Sequence, residues 1–119
     1  MIEKEDYLNK RIRGQEYEKK TSDYMIMIGM SITCMNYSTR YGEVDIIAMD
    51  GETLVFVEVK YRSNERYGHP AEHVNYYKQQ HIRTVSKYYV MENRLFNMNV
   101  RYDVAAWHKG QLFYYKGAF

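Results

Sequence analysis

The clearest pattern in the chain is a pair of alternating stretches, Glu43 to Met49 and Leu54 to Tyr61, joined through Asp50-Gly51. Alternating apolar and polar side chains mark a strand, because successive Cβ atoms point to opposite faces. An Asp-Gly pair between two such runs marks a hairpin. Ahead of it, Tyr7, Arg11, Gly14, Glu18, Thr21, Met25 and Ile28 recur at three- and four-residue steps, which predicts a long helix over about Glu3 to Ile28. The stripe is apolar mainly at its ends, and Gly29 stands where such a helix stops. Ser31 to Tyr37 reads as a first strand. After a polar loop from Ser63 to His69, Pro70 is placed to open a second helix running to about Met91, since the first helical N–H has no partner in any case. Val100 to Trp107 and Leu112 to Tyr115 read as closing strands around Lys109-Gly110. The predicted class is α/β, in the order α-β-β-β-α-β-β.

Length and composition narrow the picture. At 119 residues the chain has the size of one domain, residues 1–119, with a single core. A hydrophobic share of 45%, a charged share of 27% and one proline are ordinary for a globular protein and argue against disorder. The net charge of +2 permits a nucleic-acid partner without establishing one, since local basic clusters matter more than the total. Cys34 is the only cysteine, so neither an intramolecular disulfide nor a cysteine-based zinc site is available. The charged start, Met-Ile-Glu-Lys-Glu-Asp, is not a signal peptide, and no apolar run approaches the roughly 18 residues of a membrane span. The expectation is a cytoplasmic protein with no membrane partner. Fourteen tyrosines are unusual but suit strands and core edges.

Strand parity gathers the candidate chemistry. One face of the hairpin carries Glu43, Asp45, Ile47 and Met49 with Leu54, Phe56, Glu58 and Lys60; the other carries valines for the core. A two-residue turn at Asp50-Gly51 sets Glu43 opposite Glu58, with Asp45 diagonal to it. A four-residue turn from Asp50 to Thr53 sets Asp45 opposite Glu58 and Glu43 opposite Lys60. Either register sends Asp45, Glu58 and Lys60 to one face, whereas a three-residue turn would mix the faces.

Clustered carboxylates repel, at a cost that grows as water is excluded. A hard cation such as Mg²⁺, which takes carboxylate and carbonyl oxygens, resolves the conflict. Lys60 is then placed to orient or deprotonate an attacking water, or to stabilise charge developing on a phosphoryl group. The competing reading is a solvated sheet face laced with a Glu–Lys cross-strand pair. Ile47, Leu54 and Phe56 on the same face favour a partly covered cleft, but spacing alone leaves both readings open.

Gly42-Glu43-Val44-Asp45, the Asp-Gly turn, and Val55-Phe56-Val57-Glu58-Val59-Lys60-Tyr61-Arg62 resemble the YraN family of predicted endonucleases, in the PD-(D/E)XK, restriction-endonuclease-like superfamily. The likeness runs from Asn9, Gly14 and Glu18 through Gly29, Asn36-Tyr37 and the hairpin to Tyr67-Gly68, Lys78 and Arg101-Tyr102-Asp103-Val104. It implies a restriction-endonuclease-like fold, a mixed central β-sheet of about five strands flanked by helices. It also implies Asp45 and Glu58 as metal ligands, the Val59 carbonyl completing the shell, Lys60 as the catalytic lysine, and Glu18 reaching in from the first helix. Resolvase-type nucleases of the superfamily cut branched DNA as homodimers, which makes DNA the expected partner and a homodimer the expected assembly. Mg²⁺ is the implied cofactor, with Mn²⁺ as its substitute. Two positions depart from the family pattern: Tyr17 stands where a small residue commonly precedes the glutamate, and Thr21 where alanine is usual. Both bear on how the helix docks.

Other residues are open to more than one role. Glu43 is either a further ligand or a partner of Lys60 or Arg40. Arg40, Arg62 and Arg66 flank the hairpin, and Lys78, Gln79, Arg83 and Lys87 share helical spacing, so each set is either a phosphate-contacting surface or solvated charge. His69-Pro70-Ala71-Glu72-His73 has the H-x-x-E-H spacing of a zinc peptidase, but His69 precedes the helix and no third ligand is evident. His81 and His108 read as surface or core-edge residues, and Asp103 as a hydrogen-bonding support of the sheet. The expected function is metal-dependent endonucleolytic hydrolysis of DNA phosphodiesters, on branched or structured DNA. The alternative is a non-catalytic nucleic-acid-binding or assembly module on the same fold.

Overall fold

Gly29 ends the first helix by taking a φ of +102°, a conformation that costs glycine little. Its N–H donates to the Ile26 carbonyl and the Met30 N–H to the Met25 carbonyl, the paired bonds of a Schellman stop. The computed structural model describes residues 2–62 and 74–119. Its elements are α1 (Ile2–Met27), β1 (Ser31–Thr39), β2 (Gly42–Asp50), β3 (Thr53–Arg62), α2 (Tyr76–Glu92), β4 (Asn99–His108) and β5 (Gln111–Tyr115). This is the predicted α-β-β-β-α-β-β order. The second helix differs at its start, because Asn75 caps it by accepting from the Lys78 N–H at 2.8 Å. Val74 and Asn75 are not helical, so the helix begins at Tyr76; Pro70 lies outside the described residues.

The five strands form one mixed sheet in sequence order, β1-β2-β3-β4-β5. Only β3 and β4 run parallel, joined by the crossover that contains α2. The β2–β3 hairpin pairs Met49 with Leu54 and Asp50 with Thr53, the register expected of a turn from Asp50 to Thr53 and not that of a two-residue turn at Asp50-Gly51; Gly51 and Glu52 stand at its tip. Gly51 alone is left-handed there (φ +61°), as a type II′ turn requires of its first central residue. Continued along the strands, this register sets Asp45 opposite Glu58.

Each sheet face is covered by a helix. Met25 and Met30 pack with Ile46, Ala48, Val55, Val57 and Ala105 under α1. Ile82, Val85 and Tyr89 of α2 pack with Val44, Ile47, Leu54 and Phe56. The second cluster corrects the expected half-open cleft: Ile47, Leu54 and Phe56 are fully buried. Strict alternation also fails at two places, a β-bulge on β1 between Ile32 and Cys34 and a break shared by β1 and β2 at Asn36 and Asp45. Val44 and Ile46 are two residues apart yet pack on opposite faces, as do Ile32 and Cys34, while Cys34 and Tyr37 share a face despite their odd separation. The β1–β2 ladder skips the pair between Tyr37↔Val44 and Met35↔Ile46, and there Asn36 is left-handed with φ +55°. Asn36 and Asp45 are thus matched irregularities on neighbouring strands.

Asp103 on β4 is fully buried and accepts hydrogen bonds from Arg101 Nε and Nη2 (2.9 and 3.0 Å), Tyr114 Oη (2.7 Å) and the Gly117 N–H (2.9 Å). Arg101 also reaches Asp50 at 2.9 Å, tying the hairpin end of β2 to β4. The expected supporting role of Asp103 is what these contacts describe. Among the described residues no helix is long and apolar enough to cross a membrane. Asp103→Ala leaves the half-buried Arg101 with Asp50 alone and takes the acceptor from the Tyr114 hydroxyl and the Gly117 N–H, and is expected to lower unfolding free energy by about 2–3 kcal/mol in urea titration; a loss below about 1 kcal/mol would remove this network from the fold's supports.

Candidate active site

Four carboxylates converge from three elements. Glu58 projects from β3 and is buried at 8% exposure, and Asp45 projects from the irregular point of β2. Glu18 comes from α1 and Glu43, an exposed residue, from the start of β2. The Asp45 carboxylate accepts the Val59 N–H at 2.8 Å, which fixes its orientation across the hairpin.

Electrostatics record how close these groups are. Burial raises Asp45 to about 8, and the charges of Glu58, Glu18 and Glu43 push the same way against the Val59 hydrogen bond. Glu58 is raised by burial, with Lys78 and then Lys60 opposing the shift and Glu43 adding to it. Glu18 is raised by burial and by Glu43, and partly relieved by a hydrogen bond with Asn36. The irregular point explains the convergence. Asp45 stands where β2 changes faces, within the field of Glu18 and Glu43 as well as of Glu58.

Glu18 reaches the cluster because α1 is pinned to the sheet. Thr21 is fully buried, accepts the Trp107 indole N–H at 2.8 Å and donates to the Tyr17 carbonyl at 2.7 Å. The Tyr17 ring stacks on Tyr61 at 4.8 Å and lies 5.4 Å from Trp107. The two departures from the family pattern are both docking contacts that present Glu18 to the sheet. A cleft of about 590 Å³ opens beside it, lined by Arg11, Gly14, Glu18, Asn36, Ser38 and Glu43 among others. Asp45, Glu58 and Lys60 do not line that cleft.

Lys60 follows Glu58 by two residues on β3 and acts on its carboxyl. Lys78, expected to contact phosphate, instead sets its Nζ 3.6 Å from Glu58 Oε1. Arg40 lies in the β1–β2 turn, its guanidinium 4.9 Å from the Tyr41 ring centroid. The Arg62 side chain, Arg66, His69 and His73 lie outside the described residues. Sequence reasoning did not find Asn36 as the partner of Glu18, nor Lys78 as that of Glu58; the first signal available was Asn in a strand, a residue that tolerates left-handed backbone.

Among the described residues, no three His, Cys, Asp or Glu side chains stand close enough to hold a metal ion by themselves. The donor chemistry still fits a hard divalent cation. The ligating atoms are oxygens, the cluster is acidic, and Asp45 is raised by burial and then by neighbours of its own charge.

Among known proteins, residues 17–106 match the family model described as "Uncharacterised protein family UPF0102". A UPF0102 protein of Alkaliphilus oremlandii is 46% identical over 99 residues, 82% of this chain and 84% of the relative. One from Lachnoclostridium phytofermentans is 39% identical over 113 residues, 94% of this chain and 96% of the relative. One from Vibrio cholerae is 36% identical over 105 residues, covering 87% and 86%.

Because the folded-state value of Asp45 lies far above the ordinary aspartate range, the unfolded chain ionises first as pH rises from about 4. Stability is lost over that interval and stays lost above about 8. Asp45→Asn removes the loss while keeping an acceptor for Val59. In chelating buffer at pH 8 the variant is expected to melt about 5 °C or more above wild type, the gap closing towards pH 4. An equal or lower melting temperature at pH 8 contradicts the crowded-acid picture.

Proposed function

The chain belongs to the UPF0102 family, in keeping with its resemblance to the YraN family, and we propose that it is a divalent-cation-dependent endonuclease acting on DNA, with branched or structured DNA as its substrate. The observation that carries the proposal is the repelling pair of buried Glu58 and half-buried Asp45 on neighbouring strands, with Lys60 acting on Glu58. A fold has no structural use for such a pair, since a hydrophobic pair would be cheaper to bury. Phosphodiester hydrolysis has a use for it.

In this reading Asp45, Glu58 and the Val59 carbonyl hold Mg²⁺ or Mn²⁺, and Glu18 and Glu43 complete the acidic surround. When bound, the cation supplies Lewis-acid stabilisation of the phosphoryl oxygens. The protein's own groups do the rest. Val59 N–H orients the Asp45 carboxylate through its hydrogen bond. The Lys60 ammonium orients the attacking water and balances negative charge gathering on the phosphoryl group. Lys78, seated on Glu58, partly offsets the burial that raises that carboxyl, and can turn to a phosphate once charge is supplied otherwise. Assembly as a homodimer, as branched-DNA nucleases use, belongs to the same proposal.

One observation favours a second reading. The Lys78–Glu58 contact offsets acidic charge without any metal, which suits a non-catalytic nucleic-acid-binding module. A cleavage panel separates the two: linear, nicked, flapped and four-way DNA with RNA, in Mg²⁺ or Mn²⁺. Wild type is expected to cut at least one DNA. Asp45→Asn and Lys60→Ala are each expected to lose about 100-fold or more in rate, with circular dichroism unchanged. Undiminished cleavage by both variants, in preparations free of contaminating nuclease, sinks the catalytic assignment; absence of cleavage together with absence of Mg²⁺ binding by calorimetry selects the module.

A further inference from the structure

A second recess, of about 370 Å³, lies between the β1–β2 turn and the outer face of α2. Its lining is Arg40, Tyr41, Tyr77, Gln80, His81 and Thr84, aromatic, basic or neutral throughout. The walls are tied together, for His81 Nδ1 lies 3.2 Å from the Tyr41 carbonyl oxygen. On one wall the rings of Tyr88 and Tyr41 stack at 5.2 Å, and the Arg40 guanidinium covers Tyr41 while donating to its hydroxyl at 2.8 Å. On the other, Tyr77 leans on His81 with centroids 4.5 Å apart, yet remains 74% exposed. A tyrosine that exposed, beside the 73% exposed Tyr76, is no part of the core.

We infer that this recess binds an unpaired nucleobase of a single-stranded nucleic-acid segment, stacked between Tyr77 and the Arg40 guanidinium. Aromatic rings and guanidinium planes are the groups on which splayed bases stack, and every base has a π-face to offer. Gln80 and Thr84 supply hydrogen-bonding groups for base edges. Charge identifies the occupant further. Arg40 lines the recess and Lys78 follows Tyr77 along α2, which favours an occupant with an anionic backbone. Lys78 also connects the recess to the acidic cluster, since its Nζ reaches Glu58. A strand whose base is held here passes its phosphates towards that cluster, so the preferred substrate carries unpaired bases next to the cut, as a flap or a junction does. The inference rests on the nucleic-acid reading above, but not on catalysis.

Fluorescence anisotropy in chelating buffer at low salt tests it without cleavage. The probes are a labelled oligothymidylate of about 12 nucleotides, within the site sizes of single-strand grooves, and a blunt duplex of the same length. Tyr77→Ala and Arg40→Ala are each expected to weaken oligothymidylate binding about fivefold or more, with duplex binding changed less than about twofold. Tyr77→Trp, which keeps a stacking face, is expected to bind as wild type or tighter. Unchanged oligothymidylate affinity in Tyr77→Ala overturns the inference. So does a concentration-dependent dimer in sedimentation that Tyr77→Ala dissolves, which assigns the recess to a second copy of the chain. A wild type that cuts DNA but binds independently of Tyr77 loses this inference alone. One that cuts nothing yet shows the Tyr77-dependent preference keeps it and loses only the nuclease reading.

Discussion

Where β1 and β2 both depart from alternation, at Asn36 and Asp45, the sheet gives up one ladder pair and each strand rotates its side chains to the other face. The consequences spread outward from that point. A regular β2 would commit Asp45 to one face of the sheet, leaving it with either the α1 acids or Glu58. With the irregularity in place, Asp45 bonds across to Val59 and feels Glu58, Glu18 and Glu43 together. Because both strands carry an extra residue at the same level, their register is the same on either side of this break, and the ladder shifts only at the separate β1 bulge between Ile32 and Cys34.

Holding four acids together demands rigidity elsewhere. Both faces of the sheet are closed by helices, and the hairpin end is tied across to β4 by Arg101, bridging Asp50 and Asp103. At the α1 side, Thr21, Tyr17, Tyr61 and Trp107 form a joint of two hydrogen bonds, a stacked tyrosine pair and a tilted Tyr17–Trp107 contact. These interactions are satisfied and stabilising, whereas the cluster they frame is electrostatically strained. Strain concentrated at one place within an otherwise satisfied structure is the usual economy of a site that handles charge.

Much of this was legible in the sequence where the governing forces are local. Gly29 as a helix stop, the two alternating runs, and the α-β-β-β-α-β-β order follow from periodicity and from glycine's backbone freedom. The acids of the hairpin were legible because strand spacing is regular near the turn, and the register is that of the expected turn from Asp50 to Thr53. Resemblance carried Glu18. The break at Asp45 was not legible, because counting faces along a strand presumes that no residue is left over, and Asn36 gives only a weak hint of it. The helix start at Tyr76 depended on Asn75 outcompeting the proline as a marker. Lys78 on Glu58 and Thr21 under Trp107 join residues far apart in sequence, and no local pattern encodes such partners.

The joint beneath α1 has one more property. Trp107 is the chain's sole tryptophan, and its indole N–H is engaged by Thr21 of the helix that carries Glu18. Its ring also lies beside Tyr17, the residue next to Glu18. The protein's tryptophan emission therefore originates at the joint that presents Glu18. Any event that shifts α1 against the sheet, a cation drawing Glu18 inward or a strand pushing it away, alters the surroundings of this one fluorophore, so the molecule carries its own optical gauge of whether the acidic cluster is assembled.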